Sequence, residues 1–258
     1  MPEKTSHPHG SFSWADLATS DVEGATSFYT GLFDWDVEDL PIEPEGSYSM
    51  FRINGKDVAA ASQGGPEQGP PHWNAYITVD DVDKTTEQAK ELGANVLAEP
   101  FDVMGLGRMS IAQDPAGAAF CLWQGTTNIG AQLMDEVGSL TWFECGTSNM
   151  KAAEKFYTEL FSWTTQPMGS EPPYTMFSRG DKQEAGFYEL AGEMASIPPN
   201  WTVYFLVADC AASAEKAKEL GGNLIVPPQD IPGFGKFSLI ADPQGAAFGI
   251  YEAGRAQS

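Results

Sequence analysis

Apolar and polar residues alternate over 12–19, Phe-Ser-Trp-Ala-Asp-Leu-Ala-Thr, which predicts a strand with a side chain on each face in turn. Ser20 or Asp21 is then placed to cap a helix, and Phe28, Tyr29 and Leu32 give that helix one apolar stripe to lay on a sheet. Three short strands follow, around Trp35–Val37, over 48–53 and over 58–62. The order then begins again. Residues 73–79 alternate as a strand, Asp81 or Asp83 caps a second helix, and Gly93 supplies its left-handed stop. Three more strands are expected at 95–100, 108–113 and 118–124, the last entered through an Asp-Pro-Ala-Gly turn.

The whole pattern is then repeated. Trp14 recurs as Trp142, Phe28-Tyr29 as Phe156-Tyr157, Trp35 as Trp163 and Trp73 as Trp201, each 128 residues on. AKELG at 89–93 returns at 217–221, and DPAGAAF at 114–120 returns as DPQGAAF at 242–248. The register slips once, to an offset of 126, before Tyr48-Ser49-Met50-Phe51, which matches Tyr174-Thr175-Met176-Phe177. A length change confined to one loop is what two copies of one fold tolerate. The period is too long for a solenoid, so the chain reads as a tandem duplication. The expected divisions are a tail at 1–10, a domain at 11–124, a linker at 125–138, a domain at 139–252 and a tail at 253–258. Each domain holds two strand-helix-strand-strand-strand units, an α+β plan.

Composition narrows the function. Among 258 residues, 14 are basic and 36 acidic, a net charge of −22, so phosphate backbones and anionic lipid surfaces would repel the chain. Nucleic acid and membrane are therefore not expected partners. No apolar stretch approaches the ~20 residues that span a bilayer, and the first residues lack the apolar core of a signal peptide. Three separated cysteines make no disulfide framework and no metal-binding pair, so a reducing cytoplasm is the expected compartment.

With its [ST]-x-[DN]-x6-Phe-Tyr start, its Val-Asp-Asp turn before the second helix and its Asp-Pro-x-Gly entry to the last strand, the chain resembles the vicinal oxygen chelate superfamily. That superfamily holds glyoxalase I, bleomycin-resistance proteins and extradiol dioxygenases. The resemblance covers nearly the whole chain, twice, and is nearest to a tandem actinobacterial type. It implies paired βαβββ units, each pair curled into a half-open barrel around a cavity. In metal-dependent members, ligands come from the first strand of each unit and from the last strand, with an optional mid-domain Glu. Carried onto this chain, those positions are Trp14, Asn74 and Cys121 in the first domain and Trp142, Thr202 and Gly249 in the second. The optional Glu falls near Ala61 and Phe187. Of the three histidines, His7 and His9 lie in the tail and His72 sits two residues before the strand position that would matter. No metal or other cofactor is therefore expected, although an all-oxygen divalent site is chemically open.

Strand alternation sends Trp14 and Asp16, Asn74 and Tyr76, and Cys121 and Trp123 toward the first cavity. In the second, Trp142 and Glu144, Thr202 and Tyr204, and Tyr251 take those places. Asp16 and Glu144 occupy matching positions. One reading makes them general bases, or counter-charges for a cationic or hydroxylated ligand; the other makes them structural carboxylates bonded to neighbouring Tyr, Ser or backbone groups. The tryptophans read equally as ligand platforms or as core, and Cys121 reads as a small buried residue before it reads as a nucleophile. Arg108, after the Met-Gly-Leu-Gly stretch, and Lys236, after Pro-Gly-Phe-Gly, are placed to meet a ligand at the cavity rim, with a plain turn as the alternative.

The leading expectation is a protein that binds a small, partly apolar or aromatic molecule in these cavities, with sequestration or a modest metal-free reaction as its role. A lyase, isomerase or dioxygenase with an atypical oxygen-ligand metal is the first alternative. A non-catalytic, antigen-like interaction protein is the second. If one cavity is favoured it is the first, which has more polar groups. A tandem chain can complete its own sheets, so a monomer or a homodimer is expected.

Overall fold

The computed structural model describes residues 3–41, 46–65, 69–169 and 173–254. Strand β1 (Ser11–Thr19) leads into helix α1 (Val22–Phe33), followed by β2 (Asp36–Pro41), β3 (Ser47–Ile53) and β4 (Lys56–Gln63). The second unit is β5 (His72–Thr78), α2 (Val82–Glu91), β6 (Asn95–Val103), β7 (Gly107–Gln113) and β8 (Ala119–Gly125). The second repeat runs through β9 (Leu140–Thr147), α3 (Met150–Phe161), β10 (Thr164–Pro167), β11 (Tyr174–Arg179) and β12 (Lys182–Glu189). It closes with β13 (Asn200–Leu206), α4 (Cys210–Glu219), β14 (Asn223–Ile231), β15 (Gly235–Ala241) and β16 (Ala247–Ala253).

The helix starts follow from capping chemistry. Asp21, not Ser20, accepts from the Gly24 amide, and Asp81, not Asp83, accepts from the Lys84 amide. Asn149 and Asp209 do the same in the second repeat. Gly93 and Gly221 follow their helices at φ +95°, the left-handed conformation that ends a helix without Cβ strain.

Each repeat forms one eight-stranded mixed sheet, ordered β2-β3-β4-β1-β5-β8-β7-β6 and β10-β11-β12-β9-β13-β16-β15-β14. The two units of a repeat meet through the antiparallel pair β1–β5, or β9–β13, while β4 and β8 flank that pair in parallel. The sheets stay open at their edge strands. One face of each sheet carries the helices; the other is the concave face of the cup.

The two repeats share a core. Phe12 stacks on Phe143 with ring centres 4.0 Å apart, and Phe205 packs against Phe33, Trp35 and Trp73. Indole groups tie the halves reciprocally: Trp35 Nε1 donates to the Gly138 carbonyl at 2.8 Å, and Trp163 Nε1 donates to Gly10 at 2.8 Å. The helical pairs Phe28-Tyr29 and Phe156-Tyr157 are fully buried in this shared core, on the side of the sheets away from the cups. Among the described residues no helix is long and apolar enough to cross a membrane.

Candidate functional site

Register places the cup residues in rows. Asp16 lies between Ala60 and Asn74, and Trp14 pairs with Tyr76, which pairs with Cys121. In the second repeat Glu144 lies between Gly186 and Thr202, and Trp142 pairs with Tyr204, which pairs with Gly249. The period-two expectation thus brings Trp14, Asp16, Asn74, Tyr76, Cys121 and Trp123 onto one face, and Trp142, Glu144, Thr202, Tyr204 and Tyr251 onto the other repeat's equivalent face.

At the floor of the first cup a carboxylate is ringed by donors. The Tyr48 and Tyr76 hydroxyls each donate to Asp16 Oδ2 at 2.9 Å, and Asn74 Nδ2 donates to Oδ1 at 2.9 Å. Trp14 Nε1 extends the relay by donating to the Tyr48 oxygen at 3.0 Å. Burial holds the Asp16 carboxyl above the usual carboxylate range, against the lowering pull of Asn74, Tyr76 and Tyr48. Burial also pushes the Tyr48 and Tyr76 phenols and the Cys121 thiol well up. Burial thus disfavours the thiolate form of Cys121, the form a nucleophile needs.

The second cup repeats the relay with changes. Tyr204 donates to Glu144 Oε2 at 2.7 Å, Tyr174 is the second phenol on that carboxylate, and Trp142 Nε1 donates to Tyr174 at 3.1 Å. Burial raises the Glu144 carboxyl, while the two phenols pull it down. Thr202 stands in the place of the Asn74 amide and donates its hydroxyl to Asn200 Oδ1 at 3.2 Å. Tyr251 binds the Phe234 carbonyl at 2.8 Å, at the edge of the cup.

Tyr48, Tyr174 and Tyr188 are cup residues that reading the sequence did not select. Tyr48 and Tyr174 recur across the repeat, which was a usable signal. They sit just after the loop where the offset slips, and counting outward from β1 does not reach them. Arg108 corrects an expectation. Its guanidinium is bound by Asp83 at 2.8 and 2.9 Å, by Asp102 at 3.2 Å and by the Pro100 carbonyl at 3.0 Å. Arg108 shares its face of β7 with Ser110, whose hydroxyl meets Thr86 of α2, so it lies on the helix side rather than at the cup rim. The glycine loops before Arg108 and Lys236 are hairpin turns, closed by Leu106 and Phe234 amides to Val103 and Ile231 carbonyls. A cleft of about 280 Å³ opens beside Ala18, Thr19 and Ser20, where β1 leaves the first cup.

Of the six positions at which the resemblance implies metal ligands, only Asn74, Cys121 and Thr202 keep an atom that can donate a lone pair, at most two in either cup. The Trp14 and Trp142 indoles present an N–H and no lone pair, and both N–H groups are engaged by tyrosines. Asn74 uses its amide nitrogen on Asp16, and Gly249 has no side chain. Ala61 and Phe187 point to the helix side; the cup-facing residues beside them are Ala60 and Gly186, which also lack donors. Among the described residues no group of three or more His, Cys, Asp or Glu side chains converges. These side chains do not fit a chelated metal.

Two open, concave sheets built from paired βαβββ units define a glyoxalase-type fold in tandem. The model of the Glyoxalase/Bleomycin resistance protein/Dioxygenase superfamily matches residues 11–122 and again 139–250, and the chain belongs to that superfamily. It is 40% identical to "Putative glyoxylase CFP32" of Mycobacterium tuberculosis over 97% of each chain. It is 35% identical to the anthracycline biosynthesis protein DnrV of Streptomyces peucetius, over 94% of this chain and 93% of that one. Among solved structures, the Mn(II)-bound glyoxalase from Novosphingobium aromaticivorans superposes with a TM-score of 0.66 at 13% identity, covering 95% of this chain and 82% of that one, a likeness of fold.

Proposed function

We propose that this protein binds a small, partly apolar or aromatic molecule in its cups, without the metal of its metal-dependent relatives. The observation that carries the reading is the Trp–Tyr–carboxylate relay, present at matching positions in both repeats. It offers an aromatic wall for stacking and one polar anchor for orientation, the usual division of labour in a small-molecule site. The likeness to a protein of anthracycline biosynthesis supports a planar aromatic ligand. Titration of intrinsic tryptophan fluorescence with 2-naphthol, before and after exhaustive EDTA dialysis, tests it. Saturable quenching that survives EDTA and weakens severalfold in Trp14→Phe or Trp142→Phe is expected. Quenching that requires a divalent ion, or that neither variant alters, would overturn the reading.

A second reading makes Asp16 and Glu144 general bases. The raised carboxyl pKa values favour it, since a buried carboxylate is a stronger base than a solvated one. Solvent-exchange of an acidic C–H in a bound carbonyl compound, abolished in Asp16→Asn or Glu144→Gln, is its signature.

A further inference from the structure

Several differences between the two cups act in one direction. Asp16 is matched by the longer Glu144, and Ser62 by Tyr188. Ala18, Ala60 and Cys121 are matched by Gly146, Gly186 and Gly249. Each glycine makes room for a phenol. A Cβ on Gly186 would run into the Tyr174 hydroxyl, and one on Gly249 would run into the Tyr204 ring. A Cβ on Gly146 would lie 2.9 Å from the Tyr188 hydroxyl. The second cup thus keeps the two phenols and the tryptophan of the first and adds a third phenol, Tyr188, near its carboxylate.

Accessibility and charge change together. Asp16 is 8% exposed and meets three neutral donors, whereas Glu144, slightly more exposed, meets two phenols and has Thr202 in the place of the Asn74 amide. Neither carboxylate makes an ion pair among the described residues. The nearby buried acid of the same repeat, Glu184, does, with Arg179 at 3.0 Å. Glu144 is therefore a carboxylate held among aromatic side chains, with no ion-pair partner among the described residues, in a chain of net charge −22. Aromatic faces attract a cation through the ring quadrupole, and a carboxylate beside them adds a direct counter-charge. An anionic guest would meet repulsion there, and a neutral guest would leave the Glu144 charge unbalanced.

We propose that the second cup is a site for an organic ammonium group, with Glu144 as its counter-charge and Trp142, Tyr174, Tyr188 and Tyr204 as its aromatic walls. The proposal rests on the reading of the cups as small-molecule sites and names the chemistry of one of them. It selects the second cup although the first holds more polar side chains. In the first cup a third donor, the Asn74 amide, also binds the carboxylate.

The test uses the full chain and three probes: choline, its uncharged carbon isostere 3,3-dimethylbutan-1-ol, and 2-naphthol. Calorimetry and tryptophan fluorescence give affinity and stoichiometry. Choline is expected to bind at one per chain and roughly tenfold or more tighter than the isostere. Glu144→Gln keeps the side-chain shape and is expected to erase that preference. Tyr188→Ser installs the residue the first repeat carries and is expected to reduce the preference severalfold; circular dichroism verifies that both variants fold. Equal binding of choline and its isostere, or two cholines per chain, overturns the proposal. Binding of 2-naphthol without choline overturns the ammonium site and leaves the small-molecule reading standing. Failure of all three probes to bind overturns both.

Discussion

Tyr29 of the first repeat donates its hydroxyl to Asp242 of the second at 3.0 Å, while accepting from Trp73 Nε1 at 2.9 Å. The arrangement is mirrored: Trp201 Nε1 donates to Tyr157 at 2.9 Å, and Tyr157 lies against Asp114. Asp114 and Asp242 are the turn residues of the two Asp-Pro-x-Gly entries, where each also accepts backbone amides. A turn motif that looks local is thus the point at which each domain holds the helix of the other.

Tyr29→Phe removes that hydroxyl and leaves the Trp73 N–H and one Asp242 oxygen without this partner, all in buried surroundings. A loss of about 1–3 kcal/mol in unfolding free energy is expected, with a similar loss for Tyr157→Phe. Denaturant unfolding measures it, and a change under about 0.5 kcal/mol in both variants would show that the cross-domain bond carries little stability.

Phe12 is 2% exposed and stacked on Phe143 across the domain boundary. Phe12→Ala should cost about 3–5 kcal/mol, the range for truncating a buried aromatic ring. Because the ring belongs to a core both repeats share, the wild type should melt as one calorimetric transition. Two resolved transitions in the wild type would contradict a shared core.

Asp16 gives a pH signature. Its folded pKa lies above the unfolded value because burial disfavours the charge. The folded state therefore holds this proton more tightly than the unfolded chain does. The stability it contributes is fully present below the unfolded value of about 4 and is lost as pH rises through the raised folded value. Asp16→Asn cannot titrate there. The stability of wild type minus that of Asp16→Asn should accordingly fall as pH is raised from about 4 toward neutrality. A difference that is flat, or that grows with pH, would mean the carboxyl is not raised.

Much of this was written in the order of residues. The repeated Trp, Phe-Tyr and Asp-Pro-x-Gly landmarks imply the duplication, and period-two alternation from Trp14 outward implies which side chains share a cup. The side of the sheet on which Arg108 lies follows only when the alternation of β7 is carried through Ser110; the glycine loop before it leaves a rim position and a plain turn equally open. Tyr48 and Tyr174 were passed over because a loop of different length separates them from the strand on which the alignment was anchored. The Tyr29–Asp242 bond lies beyond such reasoning altogether. Two equal copies imply two similar domains, but which faces of those domains meet is decided by packing between residues 213 positions apart.

The two cups also make each other's controls. Gly249 and Cys121 occupy the same position, and the Tyr204 ring lies where a side chain on Gly249 would go. Gly249→Cys gives the second cup the residue of the first. The Tyr204 ring must then move off the floor and away from Glu144, which it meets at 2.7 Å. Overpacking of this kind costs about 1–3 kcal/mol. The reverse change, Cys121→Gly, removes a fully buried thiol from the first cup, beside Tyr76, which is held on Asp16 at 2.9 Å. It should cost about 1–2 kcal/mol, through lost packing and a more flexible strand. Both variants are therefore expected to be less stable than wild type, but only Gly249→Cys should disturb the second carboxylate. Thermal unfolding reads the first effect. Near-ultraviolet circular dichroism, sensitive to the Tyr204 environment, reads the second. An unchanged spectrum for Gly249→Cys would mean that the glycine is not what holds the tyrosine against Glu144.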